Sequence, residues 1–81
     1  MNFFYTRTFQ KSIREFPKTV RVAFYKQAAH LLQNIRHPPL RAKKYDEARG
    51  IWQARVNRTV RFYFIIEEEN YILLDIKKHS D

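Results

Sequence analysis

Three cations in the second half of the chain are spaced so that a single anion could lie between them. Arg55 and Arg61 lie in "RVNRTVRFYF", residues 55–64, and Lys77 lies in the last apolar segment. Directly opposed like charges destabilise a sheet by up to roughly 1 kcal/mol per pair, whereas a bound phosphate or carboxylate reverses that sign. The pattern predicts an anion site if all three share one face. The alternative is a solvated face on which Asp75 compensates one cation.

A histidine follows these cations in the terminal "KKHSD". Imidazole exchanges protons near neutral pH, so His79 is a candidate acid or base beside a bound phosphate. The alternative is an exposed histidine near a chain end. The sequence therefore offers the parts for phosphodiester chemistry, although it does not by itself choose between chemistry and binding.

Further basic and aromatic residues could contact a polyanion. Cations of the "RHPPLRAKKYDEARG" segment, 36–50, either contact backbone phosphates or only keep a loop soluble. Tyrosines on an open sheet face either stack on bases or shield the sheet. The candidates are Arg36, Arg41, Lys43, Lys44, Lys77, Lys78, Tyr63 and Tyr71.

Strand periodicity decides which side chains share a face. The segments "IWQARV" (51–56), "TVRFYFIIE" (59–67) and "NYILLDIKK" (70–78) alternate and predict an antiparallel meander. The predicted core face holds Trp52, Ala54, Val56, Val60, Phe62, Phe64, Ile66, Ile72, Leu74 and Ile76. The predicted open face holds Ile51, Gln53, Arg55, Arg61, Tyr63, Ile65, Tyr71, Leu73, Asp75, Lys77 and His79.

The two turns test this assignment. A three-residue loop, 57–59, pairs Arg55 with Arg61 and keeps both faces consistent, with Arg58 at the loop tip as an expendable cation. A three-residue turn at 68–70 places Arg61 beside Lys77 on the open face. Inside, the same turn pairs Phe62 with Ile76 and Phe64 with Leu74.

The first half of the chain supplies the layer that covers the core face. "NFFYT" (2–6) predicts an opening strand, Phe9, Ile13 and Phe16 predict a short helix before Pro17, and an apolar stripe predicts a second helix over 18–36. The fold class is therefore α+β, in the order β-α-α-β-β-β. A helical hairpin packs on one face of a twisted, mainly antiparallel four-stranded sheet and leaves the other face open.

Composition bounds the remaining possibilities. The 81 residues suffice for one domain, 1–81, and the formal charge of +8 predicts a polyanionic partner. With no cysteine and three scattered histidines, we expect no disulfide, no metal site and no cofactor. No apolar run spans a bilayer and "MNFFYTRTFQ" lacks a signal-peptide core, so we expect a cytoplasmic protein without membrane contact.

The second half, "HPPLRAKKYDEARGIWQARVNRTVRFYFIIEEENYILLDIKKHSD", resembles the RelE/ParE superfamily of toxins from type II toxin–antitoxin modules. The resemblance rests on "HPPL" and "KKY" in the loop, the "WQARV" strand, an arginine-bearing aromatic strand and the terminal "KKHSD", in that order behind a strand and a helical hairpin. RelE members cut mRNA on the ribosome, ParE members poison DNA gyrase, and an antitoxin neutralises both.

The resemblance implies a ribosome-dependent, metal-independent mRNA endonuclease. Arg61 matches the arginine that stabilises the transition-state phosphate, Arg55 the arginine closing the preceding strand, and His79 a C-terminal histidine used as acid or base. RelE itself carries two lysines on the first meander strand, where this chain has Ile51 and Gln53. A ParE-like gyrase inhibitor and an inactive member that only binds its antitoxin are the alternatives.

Overall fold

The computed structural model describes residues 1–79, and the last two residues of "KKHSD" lie outside the described part. Two helices cover one face of a sheet whose strand order is β1-β5-β4-β3-β2, with β1 parallel to β5 and every other pair antiparallel. The predicted α+β class and mainly antiparallel sheet are confirmed. The elements are β1 (Asn2–Tyr5), α1 (Arg7–Arg14), α2 (Lys18–Gln33), a 3-10 turn (Pro38–Leu40), β2 (Lys43–Asp46), β3 (Ile51–Arg55), β4 (Val60–Glu67) and β5 (Asn70–Lys78).

The sheet has five strands rather than the predicted four, because β2 forms within the segment predicted as a loop. This short edge strand, "KKYD", pairs Lys43 with Gln53 and Lys44 with Trp52. Most of its side chains are exposed, so it has no apolar alternation for periodicity to detect. The extra strand brings basic residues of the central segment onto the sheet.

The helical hairpin forms where the apolar spacing predicts it. The Thr6 hydroxyl accepts a hydrogen bond from the Phe9 backbone N–H at 3.2 Å and caps α1. From α1, Phe9 and Ile13 are buried, and from α2 the buried residues are Phe24, Ala28 and Leu31. The second helix ends at Gln33, three residues before the predicted end, with a 3-10 turn following at Pro38–Leu40.

The hairpin between β3 and β4 has the predicted three-residue loop. Arg55 faces Arg61 across the two strands, and the Val56 N–H donates to the Val60 carbonyl at 2.9 Å. The side-chain oxygen of Asn57 accepts from the backbone N–H groups of Thr59 and Val60, each at 2.9 Å, which fixes the loop from inside. Both arginines therefore project from the same face of the sheet.

The turn between β4 and β5 differs from the prediction. Glu67 pairs with Asn70, so the turn has two residues, and Glu68 adopts a left-handed φ of 56°. A β-bulge at Leu74 then restores the register, so that Arg61 faces Lys77 as predicted. The prediction that Phe64 faces Leu74 is wrong, because its partner is Leu73.

The bulge reverses which residues of β5 face the core between the turn and Leu74. Tyr71 and Leu73, predicted on the open face, are 4% and 0% exposed, whereas Ile72 and Leu74 are only half-buried. Ile66, at the turn end of β4, was predicted in the core and is 41% exposed. Beyond the bulge the predicted faces hold, and Ile76 is buried.

Candidate functional site

A groove of about 540 Å³ lies at the end of the sheet that carries the β3–β4 loop. Its walls come from the segment before β2, from β2 itself, from β3 and β4, and from the residue after β5. The groove is lined by Arg41, Lys43, Lys44, Tyr45, Gln53, Arg55, Arg61 and His79. Among the described residues the lining therefore contains three arginines, two lysines and no carboxylate, which is the composition of an anion site.

Arg55 and Arg61 are held side by side by backbone carbonyls rather than by acids. The Asn57 carbonyl accepts from Arg55 Nε at 3.2 Å and from Arg61 Nη1 at 2.9 Å. Neither arginine forms an ion pair within residues 1–79. A neutral acceptor orients a guanidinium without cancelling its charge, so both groups can still bind an anion bidentately.

The edge strand β2 supplies the lysines of the groove. Lys43 lies directly across from Gln53, which is only 7% exposed and forms the groove floor. Lys44 Nζ lies 3.8 Å from a Glu47 carboxylate oxygen and 5.4 Å from the centre of the Trp52 ring. Lys44 pairs with Trp52 and so lies on the other face of the sheet from Gln53, whereas Lys43 lies next to the groove floor.

Arg41 enters the groove from an unusual backbone conformation. It ends the Pro38–Leu40 turn with φ 47° and ψ 42°, in the left-handed region, and its N–H donates to the Pro38 carbonyl at 3.1 Å. A residue with a Cβ pays roughly 1–2 kcal/mol for this conformation. In this conformation Arg41 is part of the groove lining.

Lys77 and Tyr63 lie beside the groove rather than in its wall. Lys77 Nζ is 5.8 Å from the centre of the Tyr63 ring and 4.0 Å from an Asp75 carboxylate oxygen. The Tyr63 ring also packs edge-on against Tyr45 at 5.0 Å between ring centres. Asp75 compensates the charge of Lys77, so at this one position the alternative of a solvated, charge-balanced face is correct. Arg55 and Arg61 are the pair without a compensating carboxylate among the described residues.

Burial raises the pKa of the Tyr63 phenol, and Tyr45 and Asp75 raise it further, while Arg61 lowers it. The hydroxyl therefore stays protonated at neutral pH and can donate a hydrogen bond to an anion. The Tyr63 ring contacts Tyr45, which is one of the residues that line the groove.

Three further predicted residues, His79, Lys78 and Tyr71, occupy different places. His79 lines the groove, and its backbone N–H donates to the Thr59 carbonyl at 2.6 Å, so the chain after β5 is tied to the β3–β4 loop. Lys78 pairs with Val60, a buried residue, which places it on the helix side of the sheet and away from the groove. Tyr71 is buried, with its hydroxyl 3.5 Å from the Leu31 carbonyl oxygen, and cannot stack on a base.

Two residues of the site were missed by the sequence argument. Asn57 orients both arginines through its backbone carbonyl, and its position at the start of a tight loop was the available signal. Tyr45 was hidden in the polar "KKY" segment, and only the pairing of β2 reveals that it faces Tyr63.

The described residues contain no group of three or more His, Cys, Asp or Glu side chains placed to hold a metal ion. Within residues 1–79, neither helix has the length and apolar character needed to cross a bilayer.

No protein-family model matches the chain, and no curated protein matches it in sequence. Solved structures do match it. A YoeB/ParE toxin from Agrobacterium tumefaciens superimposes with a TM-score of 0.78 at 10% identity, covering 99% of this chain and 100% of that one. The chain has the RelE/ParE toxin fold.

Two toxin–antitoxin complexes give the same result. The RelBE2 complex from Mycobacterium tuberculosis matches with a TM-score of 0.72 at 23% identity, and the RelBE complex from Escherichia coli matches with a TM-score of 0.72 at 13% identity. Each match covers 98% of this chain and 96% of the other chain. The resemblance to the RelE/ParE superfamily is confirmed at the level of the fold.

Proposed function

We propose that residues 1–81 form the single domain of a toxin from a type II toxin–antitoxin module, which acts as a ribosome-dependent mRNA endonuclease. The observation that carries the proposal is the groove in which Arg55 and Arg61 lie side by side without a carboxylate, with His79 in the same wall. The RelE/ParE toxin fold supports the toxin assignment.

The proposed reaction uses the RNA's own nucleophile. The 2′-hydroxyl oxygen attacks the adjacent phosphorus, the bond from phosphorus to the 5′-oxygen breaks, and the products are a 2′,3′-cyclic phosphate and a 5′-hydroxyl. One group accepts the 2′-hydroxyl proton and another protonates the leaving oxygen; His79 takes one of these roles. Because the nucleophile is internal, this route does not call for a metal-bound water.

Arg55 and Arg61 stabilise the phosphorane that forms between these steps. Its oxygens carry more negative charge than the starting phosphodiester, so preorganised cations bind it more tightly than the substrate. The backbone carbonyls of the 57–60 segment hold Arg61 Nη1 at 2.9–3.3 Å before substrate arrives, so little reorganisation is needed. Arg41 and Lys43 position the strand on either side.

The proposal also assigns partners. The mRNA on a ribosome is a cytoplasmic substrate, and the antitoxin is expected to cover the groove with an acidic segment that supplies the missing carboxylates. The paired antitoxins in the two complexes of the same fold support such a partner.

A ParE-like gyrase inhibitor is the second candidate. The observation that favours it is β3, which carries Ile51 and Gln53 where RelE has lysines. The lack of lysines on β3 counts less against cleavage because the neighbouring strand β2 places Lys43 across from Gln53 and so supplies a cation at the groove.

One experiment separates the two candidates. The chain is expressed without antitoxin, mRNA 5′ ends are mapped on translating ribosomes, and gyrase supercoiling is assayed in parallel. We expect codon-phased cuts that Arg61→Ala and His79→Ala each reduce by on the order of 100-fold or more. Arg7→Ala, at an exposed position on α1, is the control and keeps full cleavage. Gyrase inhibition with intact mRNA would establish the second candidate instead.

A further inference from the structure

A second cavity, of about 470 Å³, adjoins the groove on the side of α2. It is lined by Gln27, Pro38, Pro39, Arg41, Arg55, Val56, Asn57 and Arg58. Arg41 and Arg55 line both the groove and this cavity, so the two spaces share a wall made of two cations.

The cavity is positively charged in its own right. Its lining contains three arginines and, in the described part of the chain, no acidic residue. Arg58 is exposed at the tip of the β3–β4 loop, and within residues 1–79 none of the three arginines forms an ion pair. Three arginines in the lining of one open cavity give it a positive potential that favours the entry of an anion.

The frame of the cavity is braced before any ligand binds. The Gln27 side-chain N–H₂ donates to the Arg55 carbonyl at 2.8 Å and to the Pro39 carbonyl at 3.2 Å. This single amide joins α2, β3 and the Pro38–Leu40 turn, while Asn57 fixes the loop that carries Arg58. A ligand therefore does not have to order the walls, which favours binding.

We propose that this cavity binds a second phosphate of the RNA strand, next to the phosphate held by Arg55 and Arg61, and that Arg58 is the residue specific to it. The inference rests on the nucleic-acid part of the proposed function and adds a direction for the strand. From the groove, the strand crosses the wall formed by Arg41 and Arg55 and continues towards α2. Arg58, predicted from the sequence to be expendable, thereby becomes a binding residue.

The test compares short 2′-O-methyl oligouridylates with one, two and three phosphates, which cannot be cleaved by 2′-hydroxyl attack. Binding is measured by NMR titration of the purified chain at several salt concentrations. The variants are Arg58→Gln, Arg61→Gln and, as a control with the same loss of charge, Arg7→Gln on the exposed start of α1.

We expect Arg61→Gln to weaken binding of every oligonucleotide. Arg58→Gln should leave the one-phosphate ligand unchanged and weaken the longer ligands by roughly five- to tenfold, with a salt slope smaller by about 0.7. Arg7→Gln should match the wild type throughout.

Equal effects of Arg58→Gln and Arg7→Gln on ligands that bind the wild type would overturn only the second phosphate site. Absence of binding to all oligonucleotides would overturn this inference, whereas loss of ribosomal mRNA cleavage alone would overturn only the endonuclease.

Discussion

At the scale of single residues, the site depends on Asn57, which acts through both its side chain and its backbone carbonyl. Asn57 performs two tasks at once: its side-chain oxygen fixes the loop through the N–H groups of Thr59 and Val60, and its carbonyl orients Arg55 and Arg61. An aspartate at this position would keep the same backbone carbonyl but would add a negative charge near the two arginines and partly neutralise them. The loop therefore keeps the guanidinium groups close together and still charged.

Substitution of Asn57 leaves its backbone carbonyl in place and tests the loop contacts of its side chain separately from the local charge. Asn57→Ala leaves two loop N–H groups without their acceptor and should lower the free energy of unfolding by about 1–2 kcal/mol. Asn57→Asp keeps the acceptor and should retain most of the stability, yet it should weaken RNA binding because it adds a carboxylate beside Arg55 and Arg61. Urea denaturation and oligonucleotide titration of both variants check this. If Asn57→Asp binds RNA as well as the wild type does, the charge argument is wrong.

Periodicity predicted the arginine pair but not every neighbour. The alternation of β3 and β4 has only one consistent loop length, so the positions of Arg55 and Arg61 followed from the sequence. Tyr71 was assigned to the wrong face, because "YILL" is apolar at every position and gives no sign of where alternation breaks. Lys78 has the same parity as the buried Ile76, so alternation alone places it on the helix side of the sheet.

At the scale of elements, the bulge in β5 sets the geometry of the groove. Without the extra residue at Leu74, the two-residue turn at Glu68 and Glu69 would shift the register by one and would take Lys77 away from Arg61. The Thr6 hydroxyl donates to the Leu73 carbonyl at 2.7 Å, beside the bulge, while the same oxygen caps α1. One hydroxyl thus joins the start of the helical layer to the irregularity in the sheet.

Replacement of Thr6 tests this connection. Thr6→Val keeps the shape of the side chain but removes both the cap and the bond to Leu73, and should lower the free energy of unfolding by about 1–3 kcal/mol. Thr6→Ser keeps the hydroxyl and should lose less than half of that amount. Urea denaturation measures the free energies, and amide hydrogen exchange at Leu74 and Asp75 reports the bulge. Equal stability of the two variants would show that the hydroxyl contributes nothing.

The elements that the sequence predicted are those with a buried face. Both helices and the three meander strands bury one side, so their apolar spacing locates them within a few residues. The edge strand β2 buries little of itself and forms by hydrogen bonding to β3, a partner that no local pattern reveals. Since β2 carries Lys43, Lys44 and Tyr45, the least predictable element contributes much of the groove.

At the scale of the whole molecule, charge is separated along the sheet. The groove lies near Val60, at the start of β4, whereas Glu67, Glu68 and Glu69 lie at the opposite end of the strand. The strand has eight residues, so these ends are roughly 25 Å apart, more than twice the Debye length at physiological salt. The acidic turn therefore hardly lowers the positive potential of the groove. It also repels a polyanion from the opposite end of the sheet, which favours approach towards the groove.

Alkaline pH should destabilise the whole molecule through its buried phenols. Burial raises the pKa of Tyr71, and it is also the largest cause of the raised pKa values of Tyr5 and Tyr63. The folded state then holds these protons more tightly than the unfolded state does. The associated stability is fully present below the ordinary phenol pKa of about 10 and is lost as the pH rises through the folded values.

Tyr71→Phe isolates one of these phenols. Urea denaturation between pH 8 and pH 11.5 should show a stability loss above pH 10 that is smaller in Tyr71→Phe than in the wild type, because one proton-linked group has been removed. Deprotonation of lysines acts in both proteins, so it cancels in the difference between them. Tyr45→Phe, at a ring that is 61% exposed, is the matched control and should retain most of the alkaline loss. An identical loss in Tyr71→Phe and the wild type would mean that the Tyr71 phenol does not contribute, and the alkaline limit would then belong to Tyr5, Tyr63 or the lysines.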